Sequence, residues 1–131
     1  MAPKPLSRIL LVEDEPDIQA IAGLALRAVG GFEVDVCSCG EDALRRFREV
    51  VPDLVLLDVM MPGMGGPVVL GELRKLPGGE TVPVVFMTAK VQPGEVSQLN
   101  SLGAAGVIAK PFDPMTLADE VRALWEKAHS D

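Results

Sequence analysis

Reactive polar side chains follow four of the apolar runs in this 131-residue sequence. Glu13 and Asp14 come directly after the first run, and Asp58 follows the third. Thr88 follows the fourth run and Lys110 follows the fifth. Carboxylates that lie close together repel one another, so either one of them is protonated or a cation joins them. Because a set of oxygen ligands completed by water suits magnesium, the three carboxylates favour a Mg²⁺ site.

The other two residues supply what a phosphoryl group requires. The Lys110 ammonium is a point charge and the Thr88 hydroxyl is a hydrogen-bond donor, while a metal ion would neutralise the remaining phosphoryl oxygens. The residue types therefore predict a site that carries phosphate on a carboxylate. Asp58 is the strongest candidate for the acceptor because its strand is predicted to be central.

Taken singly, each of these residues has an ordinary structural explanation. An acidic residue after a strand is more often the N-cap of the next helix, and Asp14 before Pro16 fits that role. Thr88 alone is typical of a turn, and Glu13 or Lys110 alone of a solvated charge. Their joint placement after four strands of one predicted sheet favours the functional interpretation.

The elements that must position these residues alternate between strand-like and helix-like patterns. Residues 8–12 form a short, uninterrupted apolar run, which is typical of a strand covered on both faces. Pro16 suits a first helical turn, and Gly30-Gly31 ends the pattern that follows. The apolar residues between them repeat at helical spacing: Ile18, Ile21, Ala22, Ala25 and Val29.

The strand and helix pair recurs four more times along the chain. The further strands are predicted over residues 32–37, 54–57, 84–87 and 106–109. The third helix has Pro67 in its first turn, and Asp113-Pro114 is predicted to cap the last. The apolar helical positions are Ala43, Leu44, Phe47 and Val50, then Val69, Leu70, Leu73 and Leu76, then Val96, Leu99 and Leu102, and finally Leu117, Val121, Leu124, Trp125 and Ala128.

Five such pairs predict an α/β fold, with a parallel sheet and helices on both of its faces in a three-layer sandwich. They occupy residues 8–128, which predicts a single domain over residues 1–131. Ligands of open parallel sheets bind beyond the carboxyl ends of the strands, where strand order reverses. The polar residues after the strands are therefore expected to converge on one crevice.

Composition narrows the functional classes further. A net charge of −7 argues against direct nucleic-acid binding, which needs clustered Lys and Arg. The sequence has no run of 18 or more apolar residues and no signal-peptide core, so we expect no membrane insertion and a cytoplasmic location. Cys37 and Cys39 are too close for an easy disulfide and lack partners for a zinc site, which predicts reduced, structural thiols.

Four segments carry a resemblance to a known family: Val12-Glu13-Asp14-Glu15-Pro16, Leu57-Asp58-Val59-Met60-Met61-Pro62-Gly63-Met64, Met87-Thr88-Ala89-Lys90 and Lys110-Pro111-Phe112. In this order and spacing they resemble the signatures of response-regulator receiver domains, and the resemblance covers nearly the whole chain. It implies a flavodoxin-like strand order of 2-1-3-4-5. It also implies a function in two-component signalling.

The resemblance further implies a role for each site residue. Asp58 would accept a phosphoryl group from a histidine kinase or a histidine phosphotransfer protein. Asp14, Asp58 and the backbone carbonyl of Met60 would hold Mg²⁺, with Glu13 acting largely through water. Lys110 would pair with the phosphoryl group. The hydroxyl of Thr88, after the fourth strand, would move toward the phosphoryl group.

The sequence departs from the family pattern at two places. Val107 stands three residues before Lys110, where the family often has a switching aromatic residue, and the chain has no Tyr. Gly65-Gly66 replaces a common Asp-Gly pair, which affects only how the third helix starts. Without an aromatic switch, the loop of residues 89–94 is predicted to be the moving part. The Lys110-Pro111 bond is implied to be cis.

The phosphodonor is expected to be external, because the only histidine, His129, lies beyond the last apolar helical position. The chain would then catalyse only its own phosphorylation and dephosphorylation. Its output would be binding to a downstream protein target, through the fourth and fifth helices or the first. A phosphorelay intermediate, or a receiver from a larger hybrid kinase or regulator, is the alternative, and the Met1 start favours a free-standing regulator of the chemotaxis type.

Two other functional classes share parts of the pattern. A haloacid-dehalogenase-like phosphatase also places a nucleophilic Asp after a strand, but it needs a second Asp two residues on, where this chain has Met60. A flavin-binding module shares the layered architecture. It normally offers aromatic residues to stack on the flavin, whereas this chain is only 4% aromatic.

Overall fold

The computed structural model describes residues 5–129. The Met1 start and the last two residues lie outside the described part of the chain. Five strands are present, β1 Arg8–Val12, β2 Glu33–Cys37, β3 Leu54–Asp58, β4 Val84–Thr88 and β5 Gly106–Ala109. Five helices alternate with them, α1 Pro16–Leu24, α2 Gly40–Val50, α3 Gly66–Leu73, α4 Pro93–Ser101 and α5 Leu117–Ala128, and a π-helical turn, Ala25–Val29, continues α1.

The strands form one parallel sheet in the order β2-β1-β3-β4-β5, as the resemblance implies. Every residue of β3 and β4 is buried, and so are the last four of β1. These three strands are the inner ones, which explains why their sequences are uninterrupted apolar runs. The edge strand β2 is more exposed, and its sequence alternates accordingly.

Alternate residues of the inner strands point to opposite faces of the sheet and build two cores. On one face, Leu11, Leu56 and Met87 pack with residues of the π-helical turn and of α5, such as Leu26 and Trp125. On the other face, the remaining strand residues pack with residues of α2, α3 and α4: Leu10, Val55 and Phe86 with Phe47, Leu73 and Leu99. The predicted three-layer α/β fold is therefore confirmed.

Three aspects of the sequence-based prediction are wrong: which helix residues face the core, where α3 ends and where α5 begins. Leu102 is 47% exposed and lies beyond the end of α4, and Ala128 is exposed at the end of α5, so neither faces the core. Ile21 and Val29 are 48% and 47% exposed, because Ala22, Ala25 and Leu26 occupy the buried stripe and the π-helical turn changes the spacing after residue 24. Helix α3 ends at Leu73, so Leu76 lies in the turn that follows.

The third error concerns the start of α5, which begins at Leu117 rather than after Asp113-Pro114. The Oδ1 atom of Asp113 accepts a hydrogen bond from the backbone N–H of Met115 at 2.9 Å. Its carbonyl oxygen accepts from the N–H groups of Thr116 and Leu117. Asp113 therefore organises a turn that precedes the helix, and its side chain does not cap the helix itself.

The two cysteines are free thiols, as predicted. Cys37 is buried at the end of β2, and Cys39 is half-buried. Burial, assisted by the negative charge of Asp42, raises the pKa of Cys37 to about 11. The Cys37 thiol is therefore protonated near neutral pH and chemically inert. Among residues 5–129, no helix is long and apolar enough to span a bilayer.

Val51 ends α2 in the left-handed region with φ 48°, which a β-branched side chain rarely adopts. Its side chain is 72% exposed, so little packing compensates for the strain. We predict that Val51→Gly raises the free energy of unfolding by about 0.5 to 1 kcal/mol. This value is the strain energy that glycine relieves in the folded state, reduced by the larger conformational entropy of glycine in the unfolded chain. Urea denaturation measures this.

The matched control is Val68→Gly, because Val68 is also exposed but lies within α3. That substitution should destabilise the protein by several tenths of a kcal/mol, since glycine disfavours a helix interior. A loss of stability in Val51→Gly of the same size would show that the left-handed valine carries no strain.

Candidate functional site

The carboxyl ends of four strands bring the sequence-predicted residues to one edge of the sheet. Asp58 is the last residue of β3 and Thr88 the last of β4, while Glu13 and Lys110 directly follow β1 and β5. Asp58 stands next to Met87 in the β3–β4 register, so the two strand ends are level. The ends of β1, β3, β4 and β5 therefore bring these residues to the same edge of the sheet.

Three carboxylates meet in this crevice. One oxygen from each of Glu13, Asp14 and Asp58 lies within 4.8 Å of the other two. Glu13 is fully buried and Asp58 is 2% exposed, whereas Asp14 is half-buried. The Oδ1 atom of Asp14 is buried and has no hydrogen-bond partner within residues 5–129. A buried carboxylate oxygen without a partner, facing two other carboxylates, fits a divalent cation with oxygen ligands.

Lys110 connects two of these carboxylates. Its ammonium nitrogen lies 2.7 Å from Oε1 of Glu13 and 3.0 Å from Oδ1 of Asp58. The Lys110 side chain is only 14% exposed. Burial lowers the pKa of Lys110, but the carboxylates of Glu13 and Asp58 outweigh it and raise the pKa above its ordinary value. Lys110 is therefore held as a cation between the two acids.

Glu13 is held from several directions. Its N–H donates to the carbonyl oxygen of Cys37 at 3.0 Å, and its Oε2 atom accepts from the N–H of Glu15 at 3.1 Å. Burial raises the pKa of Glu13, assisted by the negative charge of Asp58, while Lys110 and the Glu15 amide oppose the rise. The buried carboxylate therefore depends on the lysine or on another cation for its charge.

The backbone around Asp58 is closely packed against the start of α3. A Cβ atom on Gly66 would lie 2.6 Å from the carbonyl oxygen of Asp58 and 2.9 Å from the Cα atom of Val59. The N–H of Gly66 donates to the carbonyl oxygen of Val59 at 3.0 Å. Only glycine allows this approach, so Gly66 sets the path of the loop that leaves the acceptor strand.

Thr88 ends the strand next to Asp58, and Met60 follows Asp58 by two residues. The Thr88 hydroxyl oxygen accepts the N–H of Lys90 at 3.0 Å, which leaves the hydroxyl hydrogen free to donate. The N–H of Met60 approaches Oδ1 of Asp58 at 3.4 Å, a long hydrogen bond. The Met60 side chain is 64% exposed at the mouth of the crevice.

The two family departures are visible in the structure: α3 begins at Gly66 with Gly65 as its N-cap, and Val107 lies in β5. Val107 is half-buried and packs against the core on the side of α2, α3 and α4. A cavity of about 360 Å³ opens beside Thr88, between the loop after β3 and helix α4, and its apolar lining includes Val59 and Leu99. The Lys110–Pro111 peptide bond is cis, as the resemblance implies.

One contact at the site involves a residue that the sequence analysis missed. Gln19, in the second turn of α1, donates through its amide nitrogen to the carbonyl oxygen of Glu13 and to the Ser38 hydroxyl. Its position six residues after Glu13, on a helix that begins beside the site, was the only signal in the sequence. A polar residue there is equally typical of an exposed helix face.

The fold and these side chains define a signalling domain of the receiver type. Residues 9–122 match the family model of the response regulator receiver domain, so the chain belongs to this family and functions in two-component signalling. The DNA-binding response regulator MtrA of Mycolicibacterium smegmatis is 42% identical over 116 residues, which are 88% of this chain and 49% of that protein.

Other similar proteins agree with this assignment. The phosphate regulon transcriptional regulatory protein PhoB of Rhizobium meliloti is 35% identical over 94% of this chain and 54% of its own length. The chemotaxis protein CheY4 of Vibrio cholerae has a solved structure with a TM-score of 0.84 and 26% identity, over 91% of this chain and 98% of that chain. The chain thus spans about half the length of these two curated relatives.

Proposed function

We propose that Asp58 is the phosphoacceptor of this receiver domain and that a divalent cation, Mg²⁺, assists the transfer. The observation that carries the proposal is the convergence of Glu13 and Asp14 on Asp58, together with Lys110, 3.0 Å from the Asp58 carboxylate. This arrangement places a nucleophilic oxygen beside a fixed cation and beside ligands for a second one.

The transfer is a displacement at phosphorus. An Asp58 oxygen bonds to the phosphorus atom as the bond to the donor breaks, and the donor leaves with the electron pair of that bond. Lys110 is proposed to turn from the Asp58 carboxylate to a phosphoryl oxygen, which retains its charge pairing in the crevice. The Thr88 hydroxyl, whose hydrogen is free, would donate to another phosphoryl oxygen.

The metal site is proposed to consist of Asp14, Asp58 and the backbone carbonyl of Met60, with Glu13 acting through water. When bound, Mg²⁺ would supply positive charge to the phosphoryl oxygens that Lys110 does not reach. Glu13 is suited to an indirect role because its Oε1 atom already contacts Lys110 at 2.7 Å. Asp14 is suited to a direct role because its buried Oδ1 atom lacks a hydrogen-bond partner in the described structure.

The phosphodonor is proposed to be the phosphohistidine of a histidine kinase or a histidine phosphotransfer protein. The donor is proposed to be external because the only histidine of the sequence, His129, follows α5, where its ring packs against Trp125 with 4.1 Å between ring centroids. Beyond its own phosphorylation and dephosphorylation, we propose no catalytic activity for the domain. The free thiols of Cys37 and Cys39 are compatible with action in the cytoplasm.

The output is proposed to be a phosphorylation-dependent change of the surface that a downstream protein recognises. The loop of residues 89–94 begins directly after Thr88, and Leu99 is the one fully buried residue of α4. This loop and helix are therefore weakly anchored and suited to reorder around a new phosphoryl group. We propose that residues 1–131 form a single receiver domain whose output surface binds protein rather than DNA.

Intact-mass spectrometry after incubation with acetyl phosphate and Mg²⁺ tests this proposal. We predict that a single phosphoryl group is added to the wild-type protein and that EDTA prevents the addition, because the crevice then loses the cation that the three carboxylates require. Peptide mapping should place the group on Asp58. Addition of phosphate at the same rate in EDTA would contradict the metal-assisted mechanism.

A further inference from the structure

We infer that Gln19 is a positioning residue for the metal-binding carboxylates, an inference that rests on the proposed function. Its side-chain amide holds the peptide group between Glu13 and Asp14, the two acidic residues that follow β1. Gln19 does not contact Asp58, so its effect must pass through the backbone of the acidic pair.

The Gln19 side chain makes two hydrogen bonds at the end of β1. One Gln19 amide hydrogen bonds to the carbonyl oxygen of Glu13, which belongs to the peptide that links Glu13 to Asp14. The other amide hydrogen bonds to the Ser38 hydroxyl at 3.0 Å. Both hydrogens of the amide are thereby used, so the side chain is fixed between α1 and the loop after β2.

The main chain on either side is fixed as well. The N–H of Glu13 bonds to Cys37 of the neighbouring strand at 3.0 Å. The backbone N–H of Gln19 bonds to the carbonyl oxygen of Glu15 at 2.9 Å, which anchors Gln19 in the first turns of α1. Gln19 thus orients the Glu13–Asp14 peptide plane, which lies between the end of the sheet and the start of the helix.

The orientation of this peptide plane determines where the Asp14 carboxylate points. Rotation of the plane would swing the Asp14 side chain relative to Asp58, and the Oδ1 atom of Asp14 has no hydrogen bond of its own to resist the movement. Without the Gln19 amide, part of the Mg²⁺ binding energy must be spent on ordering Asp14. Affinity should fall although every metal ligand is retained.

The test compares Mg²⁺ binding of the wild type with that of Gln19→Met, which keeps the side-chain length but removes the amide donor. We expect calorimetry to show a dissociation constant for Mg²⁺ raised about fivefold, the usual value of one hydrogen bond. The rate of Asp58 phosphorylation by acetyl phosphate should fall at low Mg²⁺ but return to within about twofold of wild type at saturating Mg²⁺. A purely structural defect would not be corrected by the metal in this way.

Matched variants separate the possible outcomes. Gln98→Met changes a glutamine on the exposed side of α4 and should leave Mg²⁺ affinity unchanged. Ser38→Ala removes one of the two Gln19 contacts and should weaken Mg²⁺ binding less than Gln19→Met does, and it remains a test if Gln19→Met fails to fold. Wild-type affinity in Gln19→Met would overturn the inference, and so would equal weakening in Gln98→Met. A wild type that neither binds Mg²⁺ nor is phosphorylated would instead refute the proposed function.

Discussion

Asp58→Asn is expected to abolish phosphorylation by acetyl phosphate completely. The substitution keeps the shape of the side chain but replaces the nucleophilic carboxylate with an amide, whose oxygen is a poor nucleophile and whose phosphorylated form is unstable. It also removes one carboxylate from the set of three that lies within 4.8 Å. Intact-mass spectrometry of both proteins under identical Mg²⁺ and acetyl phosphate concentrations measures the effect.

The loss should occur in a folded protein. The crevice holds three carboxylates around the single ammonium of Lys110, so removing one negative charge relieves repulsion. We therefore expect the free energy of unfolding of Asp58→Asn, measured without Mg²⁺, to equal or exceed that of wild type. Asp17→Asn, on the exposed first turn of α1, is the matched control and should be phosphorylated normally. A phosphoryl group that remains in Asp58→Asn would show that another residue is the acceptor.

Asp14→Ala is expected to weaken Mg²⁺ binding strongly, whereas Lys110→Ala is expected not to weaken it. Removal of Asp14 deletes a direct ligand and should weaken Mg²⁺ binding by about 100-fold or more, since even outer ligands of metal sites contribute 10- to 100-fold. Removal of Lys110 deletes a cation that already pairs with Asp58 at 3.0 Å and Glu13 at 2.7 Å. Affinity for Mg²⁺ should then be unchanged or tighter, because the metal no longer competes with the ammonium.

Both substitutions should nevertheless slow phosphorylation, for different reasons. Asp14→Ala impairs metal binding, whereas Lys110→Ala removes the charge that pairs with the phosphoryl group. Lys110→Ala also leaves the buried Glu13 carboxylate without its partner, which should cost about 3 kcal/mol of stability in the absence of metal. Mg²⁺ should restore much of that stability by binding the folded state.

Calorimetric titration and thermal unfolding with and without Mg²⁺ measure these effects. Lys110→Met, which keeps most of the aliphatic stem, controls for lost packing. If Lys110→Ala bound Mg²⁺ far more weakly than wild type, Lys110 would be required to build the metal site, and the proposed division of roles would be wrong.

The amino-acid sequence by itself determined the architecture and the edge of the sheet where the candidate site lies. Uninterrupted apolar runs such as residues 54–57 are typical of strands covered on both faces, and five strand patterns alternate with helical patterns along the chain. Since all strands of a parallel sheet end at one edge, the residues that follow them must gather there. Asp58 was therefore recognisable as a candidate acceptor before any distance was known.

Local pattern was less informative about which helix residues face the core. Ile21 fitted the helical period as well as Ala22 did, yet Ala22 and Leu26 are buried and Ile21 is exposed. The π-helical turn over Ala25–Val29 also changes the spacing on which the prediction relied. Competition between neighbouring side chains for one packing site depends on the partner surface, which only the tertiary structure provides.

The partners of the charged residues were likewise decided by the tertiary structure. The positions of Lys110 and the three carboxylates in the sequence predicted that they lie close together. They did not predict that the ammonium lies between Glu13 and Asp58. Sequence spacing gave no reason to select Gln19, whose amide reaches the Glu13 carbonyl only because α1 begins beside the end of β1. Hydrogen bonds and ion pairs depend on distances of a few tenths of an ångström between distant parts of the chain, and such distances are set by packing of the whole domain.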